Sequence, residues 1–278
     1  MIELWKLYKS GTWIEPFLIL SIVLFISGSL FLYILITRSR YNNINKERLT
    51  IKYSQIIETL VFRKIFQDCS LLTIRRDKNY IKLIKSNFFR EIFIEIIIDL
   101  HKNYEGVYAQ KLEQFYRESG LINDSYKKLK NRNWEIKCKG ISELSEMNVL
   151  KAFESIIKAS KSKNKTLQIT AISAAIRLEC SKGIVKITEH PYPIDEWSQL
   201  NIINAFKKHD IEETECIEVL LESQNTTIIE LGLKLIKEFN LTGKSKYVAY
   251  LASQTTNMHL KSEAQNLLYE LQFNSIGR

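Results

Sequence analysis

Proline and glycine are scarce, with three and nine in 278 residues. A sheet needs turn residues at intervals of about eight to twelve positions, and this chain lacks them, so the expected fold is all-α. Cys69, Cys138, Cys180 and Cys216 lie far apart with no CxxC or Cys/His spacing. That excludes a disulfide framework or a zinc module and leaves reduced thiols as the expectation. There is no glycine-rich phosphate loop and no HExxH pairing, and His101, His190, His209 and His259 stand in unrelated contexts, as surface or helix-end residues. The carboxylate pairs Glu212/Glu213 and Asp195/Glu196 read as helix starts, where negative charge suits the dipole. No catalytic residue, cofactor or metal is therefore expected. Disorder is excluded too, because 45% of the residues are hydrophobic.

What is present begins with an uncharged run, FLILSIVLFISGSLFLYILI, over residues 17–36. About 20 residues at 1.5 Å rise match a bilayer core of roughly 30 Å, which predicts a single transmembrane helix. The run is too long for the apolar part of a cleaved signal peptide, and no small-x-small site follows it. Arg38, Arg40, Lys46, Arg48 and Lys52 follow the run with only Glu47 against them, whereas Lys6 and Lys9 before it are offset by Glu3 and Glu15. The positive-inside rule then places the C-terminal body in the cytoplasm, anchored in the inner (cytoplasmic) membrane by residues 1–40.

Residues 41–130 read as a membrane-proximal basic region of three helices, Glu47–Asp68, Asn79–His101 and Tyr108–Ser119, with polar connections and a closing basic run from Lys127 to Arg132. The middle one holds NFFREIFIEIIIDL, apolar nearly all round, and predicts a helix buried between neighbours. Arg90, Glu91, Glu95 and Asp99 interrupt it too closely for a second span. Residues 41–140 carry 20 Lys/Arg against 12 Asp/Glu, and residues 141–278 carry 16 against 17. The basic excess points to anionic lipid headgroups, worth on the order of 1 kcal/mol per basic residue near the surface. Without a recognisable motif, nucleic acid is not expected.

Over residues 131–278 a small residue flanked by apolar ones four positions either way recurs: Ile136/Gly140/Leu144, Leu167/Ala171/Ala175, Ile228/Gly232/Ile236 and Leu260/Ala264/Leu268, with Trp197/Asn201/Ala205 in the intervening gap. Each marker helix opens on a capping residue, Asn133, Asn164, Asp195, Asn225 or Asn257, and partner helices precede most of them, as in VLKAFESIIKAS, ECIEVLLES and KYVAYLASQ. A helix pair repeated about every 31 residues is the signature of a stacked array. Trp134 and Trp197 open their helices and are expected to pack on the preceding turn.

The stretches WEIKCKGISEL, LQITAISAAIRL, IIELGLKLI and LKSEAQNLL resemble the second helix of HEAT repeats, with Asn where that helix often has Asp. With the anchor and KNYEGVYAQKLEQFYRESGL, the chain looks like membrane-anchored HEAT-like repeat proteins of Bacteroidota. The resemblance implies an α-solenoid behind one transmembrane helix. From that architecture the expected role is a non-enzymatic scaffold that binds a protein partner through its concave face, lined by second helices. The partner-binding candidates are the residues expected to point away from the repeat core: Lys139, Ser142, Thr170, Ser173, Arg177, Glu230, Lys234 and Lys237. A second reading is an accessory subunit of a membrane enzyme, as in envelope polysaccharide synthesis, acting through its span. A weaker third is a hydrolase with an unrecognised site.

Overall fold

The structure is a computed structural model describing residues 14–67, 69–208 and 216–276, and among these every regular element is a helix. The chain divides into two compact units, Met1–Leu60 and Val61–Arg278.

Helix α1, Ile14–Phe66, runs through the first unit and its last six residues belong to the second; it is about 80 Å long at 1.5 Å per residue. All side chains from Phe17 to Arg40 are exposed, and the helix holds an 18-residue window of mean hydropathy 2.6. It is long and apolar enough to cross a membrane. Its hydroxyls turn back on its own carbonyls: Ser21 donates to Phe17 O at 2.8 Å, Ser27 to Leu24 O at 3.0 Å and Thr37 to Tyr33 O at 2.8 Å. That hides polar groups which would otherwise be costly to place in hydrocarbon. The expected break after residue 36 is absent, and the helix expected from Glu47 is the continuation of α1. Neither proline nor glycine occurs between Gly28 and Phe66, so nothing in the chain stops the helix.

In the second unit, α2 (Leu71–Arg75) and α3 (Lys78–Leu83) are capped by Ser70 and Asp77. Next come α4 (Asn87–Asn103), α5 (Val107–Ser119) and α6 (Ile122–Leu129). The single helix expected over Asn79–His101 is therefore two. The Ser86 hydroxyl accepts from the Phe89 N–H and starts α4 afresh. The stretch expected to be buried is so: Phe89, Ile92, Phe93, Ile94, Ile97 and Ile98 all lie inside, and α4 packs on α5 and on α7 (Trp134–Glu146). The run expected as a basic connection begins inside α6, whose Leu129 is buried.

Beyond α7 follow α8 (Phe153–Ser160), α9 (Lys165–Leu178), α10 (Cys180–Thr188), α11 (Glu196–Lys208), α12 (Thr226–Glu238), α13 (Ser245–Gln254) and α14 (Met258–Ile276). A 3-10 helix over Ile217–Glu222 occupies the place expected of an α-helix in ECIEVLLES, while Glu212 and Glu213 lie outside the described residues. Helix α10 was not expected; its signal was Gly183, Ile184 and Ile187 on one buried face. Packing runs between sequence neighbours: α7 on α6, α9 on α7, α8, α10 and α11, α12 on the 3-10 helix and on α14, and α14 on α13.

All five expected caps form. Asn133 accepts from Glu135 N at 2.8 Å, Asn164 from Leu167 N at 3.0 Å and Asp195 from Ser198 N at 2.9 Å. Asn225 accepts from Thr227 N at 3.1 Å and Asn257 from His259 N at 3.0 Å. Seven residues after each cap stands a buried residue: Gly140, Ala171, Ile202, Gly232 and Ala264. The α11 marker Trp197/Asn201/Ala205 is thus out by one position. The packed residues are Ser198, Ile202 and Phe206, at 2%, 0% and 1% exposure, while the Asn201 amide donates back to Trp197 O. Trp134 and Trp197, expected to pack on the preceding turn, are 40% and 71% exposed.

The tight slots differ in what surrounds them. A Cβ on Gly140 would lie 2.5 Å from Leu129 N and 2.8 Å from Ser125 O, which are backbone atoms, whereas one on Gly232 would meet only Leu220 and Leu221 side chains at 3.0 and 3.1 Å. Thermal unfolding of the full chain in detergent should show Gly140→Ala destabilised by about 1 to 3 kcal/mol. Gly232→Ala should stay near the parent, because its milder crowding is offset by roughly 1 kcal/mol of helix propensity. Equal melting of the two variants would contradict the α6–α7 contact.

Candidate interaction face

Opposite the packed slots, each capped helix presents a stripe. Nine residues after the caps of α7, α9, α11, α12 and α14 stand Ser142, Ser173, Asn204, Lys234 and Asn266. None of these five is buried. The spacing follows from helix geometry, since positions seven and nine after the cap point about 200° apart.

Seven of the eight candidate residues fall into three places, and the eighth, Glu230, lies against Gln199 of α11. Ser142, Thr170, Ser173 and Arg177 come together with Glu146 and Asn201 around a cleft of about 260 Å³ formed by α7, α9 and α11. Lys234 and Lys237 line another, of about 240 Å³, with Glu263, Asn266 and Glu270. Lys139 stands apart and donates to Glu91 and Glu95 of α4 at 2.7 and 2.8 Å. The Lys139 hydrogen bond holds the Glu91 carboxyl below its usual range. Burial disfavours the Lys139 ammonium, and the bonds from both carboxylates outweigh that and raise its pKa.

Most of these charges tie one helix to the next. Arg177 pairs with Glu146 of α7, the two side chains 16% and 18% exposed. Lys237 pairs with Glu270 at 2.6 Å, and Lys207 pairs with Glu238. Gln199, 1% exposed, donates to Ile194 O and Thr227 O at 3.1 Å and weakly to Glu230 at 3.4 Å, while accepting from Lys234 at 2.8 Å. The sequence reading missed Glu146, Gln199 and Asn201; the second-helix register, counted from the cap rather than from small residues, would have found them.

Two buried polar groups hold the frame. Glu143, 4% exposed, accepts from Ser125 at 2.5 Å and Lys128 at 2.6 Å, locking α7 to α6 where solvent has no access. His190, expected at a surface or helix end, follows α10 but is 3% exposed. Its Nε2 lies 2.8 Å from Ser160 O and 3.0 Å from Gln168 Nε2, and its Nδ1 lies 2.9 Å from Tyr192 O. It bridges the ends of three helical segments. None of the four cysteines forms a disulfide, burial pushes the Cys138 thiol up, and no cluster of three metal-ligating side chains occurs among the described residues.

No family model, no curated protein and no solved structure matches this chain. What the face does must be read from its own residues.

On this face the largest exposed apolar group is Trp197, and Leu200, 53% exposed, lies one turn along the same side of α11. Asn201 carries the same side into the α7–α9 cleft. A tryptophan beside polar side chains and a cleft has the make-up of an interface anchor.

The cap of α11 predicts a pH dependence. Hydrogen bonds from Lys165 and Ser198 pull Asp195 down to about 2. A depressed carboxylate stabilises the fold above its unfolded pKa, near 3.8, and the gain is lost as pH falls through about 2. Asp195 is 41% exposed, so the ion-pair part is well below what the shift implies. Asp195→Ala should cost about 1 kcal/mol at pH 7, and Asp195→Asn, which keeps the cap, only a few tenths. The difference between parent and Asn variant should vanish between pH 4 and pH 2 in thermal melts.

Proposed function

We propose that this protein is a single-pass, membrane-tethered scaffold whose body is cytoplasmic and whose second helices form the binding surface of a HEAT-like solenoid for a protein partner. The exposed Trp197, set among the polar stripe residues and beside the α7–α9–α11 cleft, is the observation that carries this reading. Burial of a large aromatic side chain at the centre of a contact is the commonest source of binding energy between proteins. Support for the solenoid comes from packing between sequence neighbours and from caps at 133, 164, 195, 225 and 257, a spacing of 30 to 32 residues. A pair of helices that cannot cover its own apolar side explains why several must stack. The tether is supported by an exposed, uncharged run of bilayer length with five basic residues and one acidic residue in the 16 positions after it.

Charge on this face is a poor probe of binding, because Arg177, Lys234 and Lys237 each hold a neighbouring helix. Trp197 is a better one. Carbonate-resistant fractionation tests the tether, and a photo-crosslinking residue at Ser173 or Asn266, with Tyr250 on α13 as control, tests the face in living cells. A discrete protein adduct is expected from the first two positions and not from Tyr250. Trp197→Ala should abolish the adduct and leave the melting temperature within what about 0.5 kcal/mol allows, since that side chain is mostly solvated already. Adducts from Tyr250 alone, or adducts that survive Trp197→Ala, would refute the assignment of the face.

A further inference from the structure

Helix α1 between Thr37 and Lys52 is exposed on every side through Ile44, and beyond it only Asn45 and Thr50 are half-buried. Its composition favours helix poorly, with Thr37, Ser39, Asn42, Asn43, Asn45 and Thr50. Among the described residues no ion pair braces it, and Arg48 and Lys52, four apart, repel. A helix of such composition without packing is marginal in water. One face nevertheless carries a 3-4-3 spacing: Tyr41, Ile44, Arg48 and Ile51 fall in line, with the three apolar side chains 65%, 48% and 56% exposed. That is the spacing of a helix-pairing seam, with one cation inside it.

We propose that this seam docks an amphipathic helix of a different protein, one bearing carboxylates at the level of Arg48 and Lys52. Charge complementarity decides the occupant. The stretch from residue 37 to 52 holds Arg38, Arg40, Lys46, Arg48 and Lys52 against Glu47. A second copy, anchored in the same membrane, lies parallel and sets Arg48 against Arg48 inside the seam, and like charges there disfavour pairing. This orientation rests on the membrane tether proposed above; the binding face on the second helices does not enter.

The test uses the full chain in vesicles, with Ile44→Cys as reporter and the chain without it as background. In a parallel seam the two residues at position 44 lie within disulfide reach. An Arg48→Glu chain serves as the acidic partner. On mild oxidation, an equimolar mixture of the Arg48 and Arg48→Glu chains should cross-link through position 44 several-fold more than the Arg48 chain alone, the scale of one solvent-exposed charge pair. Lys46, on the opposite side of the helix, supplies the control, and Lys46→Glu should leave cross-linking at the parent level. Arg48 is exposed, so its replacement leaves the fold in place. Equal cross-linking of the Arg48 chain to itself would make the occupant a second copy. No cross-link in the mixture, or one as strong with Lys46→Glu, would remove the seam as a pairing surface. Protection of the position-44 thiol by anionic but not zwitterionic vesicles would assign the stretch to lipid headgroups and overturn the proposal. Failure of the tether shows separately, as release of the chain by carbonate.

Discussion

The second unit depends on how closely each capped helix can approach the segment before it. Side-chain oxygens at 133, 164, 195, 225 and 257 start the helices, and the seventh residue after each cap then points inward. Where that residue is Gly140, the neighbouring backbone comes so near that a methyl group would collide with it. Where it is Ile202, the contact is built on a full side chain, and Ser198 and Phe206 flank it in place of the usual aliphatic pair. Cap and slot act together: the cap sets the helix phase and the slot sets the distance. Shifting either by one residue would turn Asn201 inward and leave an amide to be satisfied in the core.

Once one side of each helix is committed to that contact, the other is determined by rotation. Polar side chains accumulate there, and the structure uses many of them for ion pairs between successive helices rather than leaving them loose. Exposed pairs of this kind contribute little singly, whereas removing one partner of a pair as shielded as Arg177 with Glu146 leaves an uncompensated charge and costs more. The face is therefore part of the fold as well as a surface. An uncharged, protruding group is what such a face can offer a partner without loosening itself, and in the binding reading proposed above Trp197 is that group.

Much of this was legible in the residues. Caps are local hydrogen-bonding chemistry, and all five were readable because Asn and Asp before an apolar run have few other uses. The apolar run of α1 and the buried stretch of α4 were plain from composition alone. Three things were not. The α11 register escaped because a search for small residues cannot see a slot filled by Ile202. The continuity of α1 escaped because polar residues after Ile36 resemble a connection, although nothing in them breaks a helix. His190 escaped because its partners are the backbone carbonyls of Ser160 and Tyr192, and burial among carbonyls leaves no pattern in a sequence. The outward stripe was placed only in part, since Arg177 and Lys237 were read as free charges and their partners on the next helix lie 31 and 33 positions away.

The length of α1 also decides between two uses of its basic residues. On the tether proposed above, with Ile36 the last residue in hydrocarbon, Lys46, Arg48 and Lys52 lie about 15, 18 and 24 Å farther along the axis. A tilt of 40°, the most that is common for membrane helices, shortens these by about a quarter. Screening at physiological salt acts over about 8 Å, so headgroups attract Arg38 and Arg40 strongly and the later cations weakly. In that proposal the first two are the charged collar of the span. On the same proposal Arg48 and Lys52, placed beside Ile44 and Ile51 on an otherwise bare helix, have a protein carboxylate as their better-matched counterion.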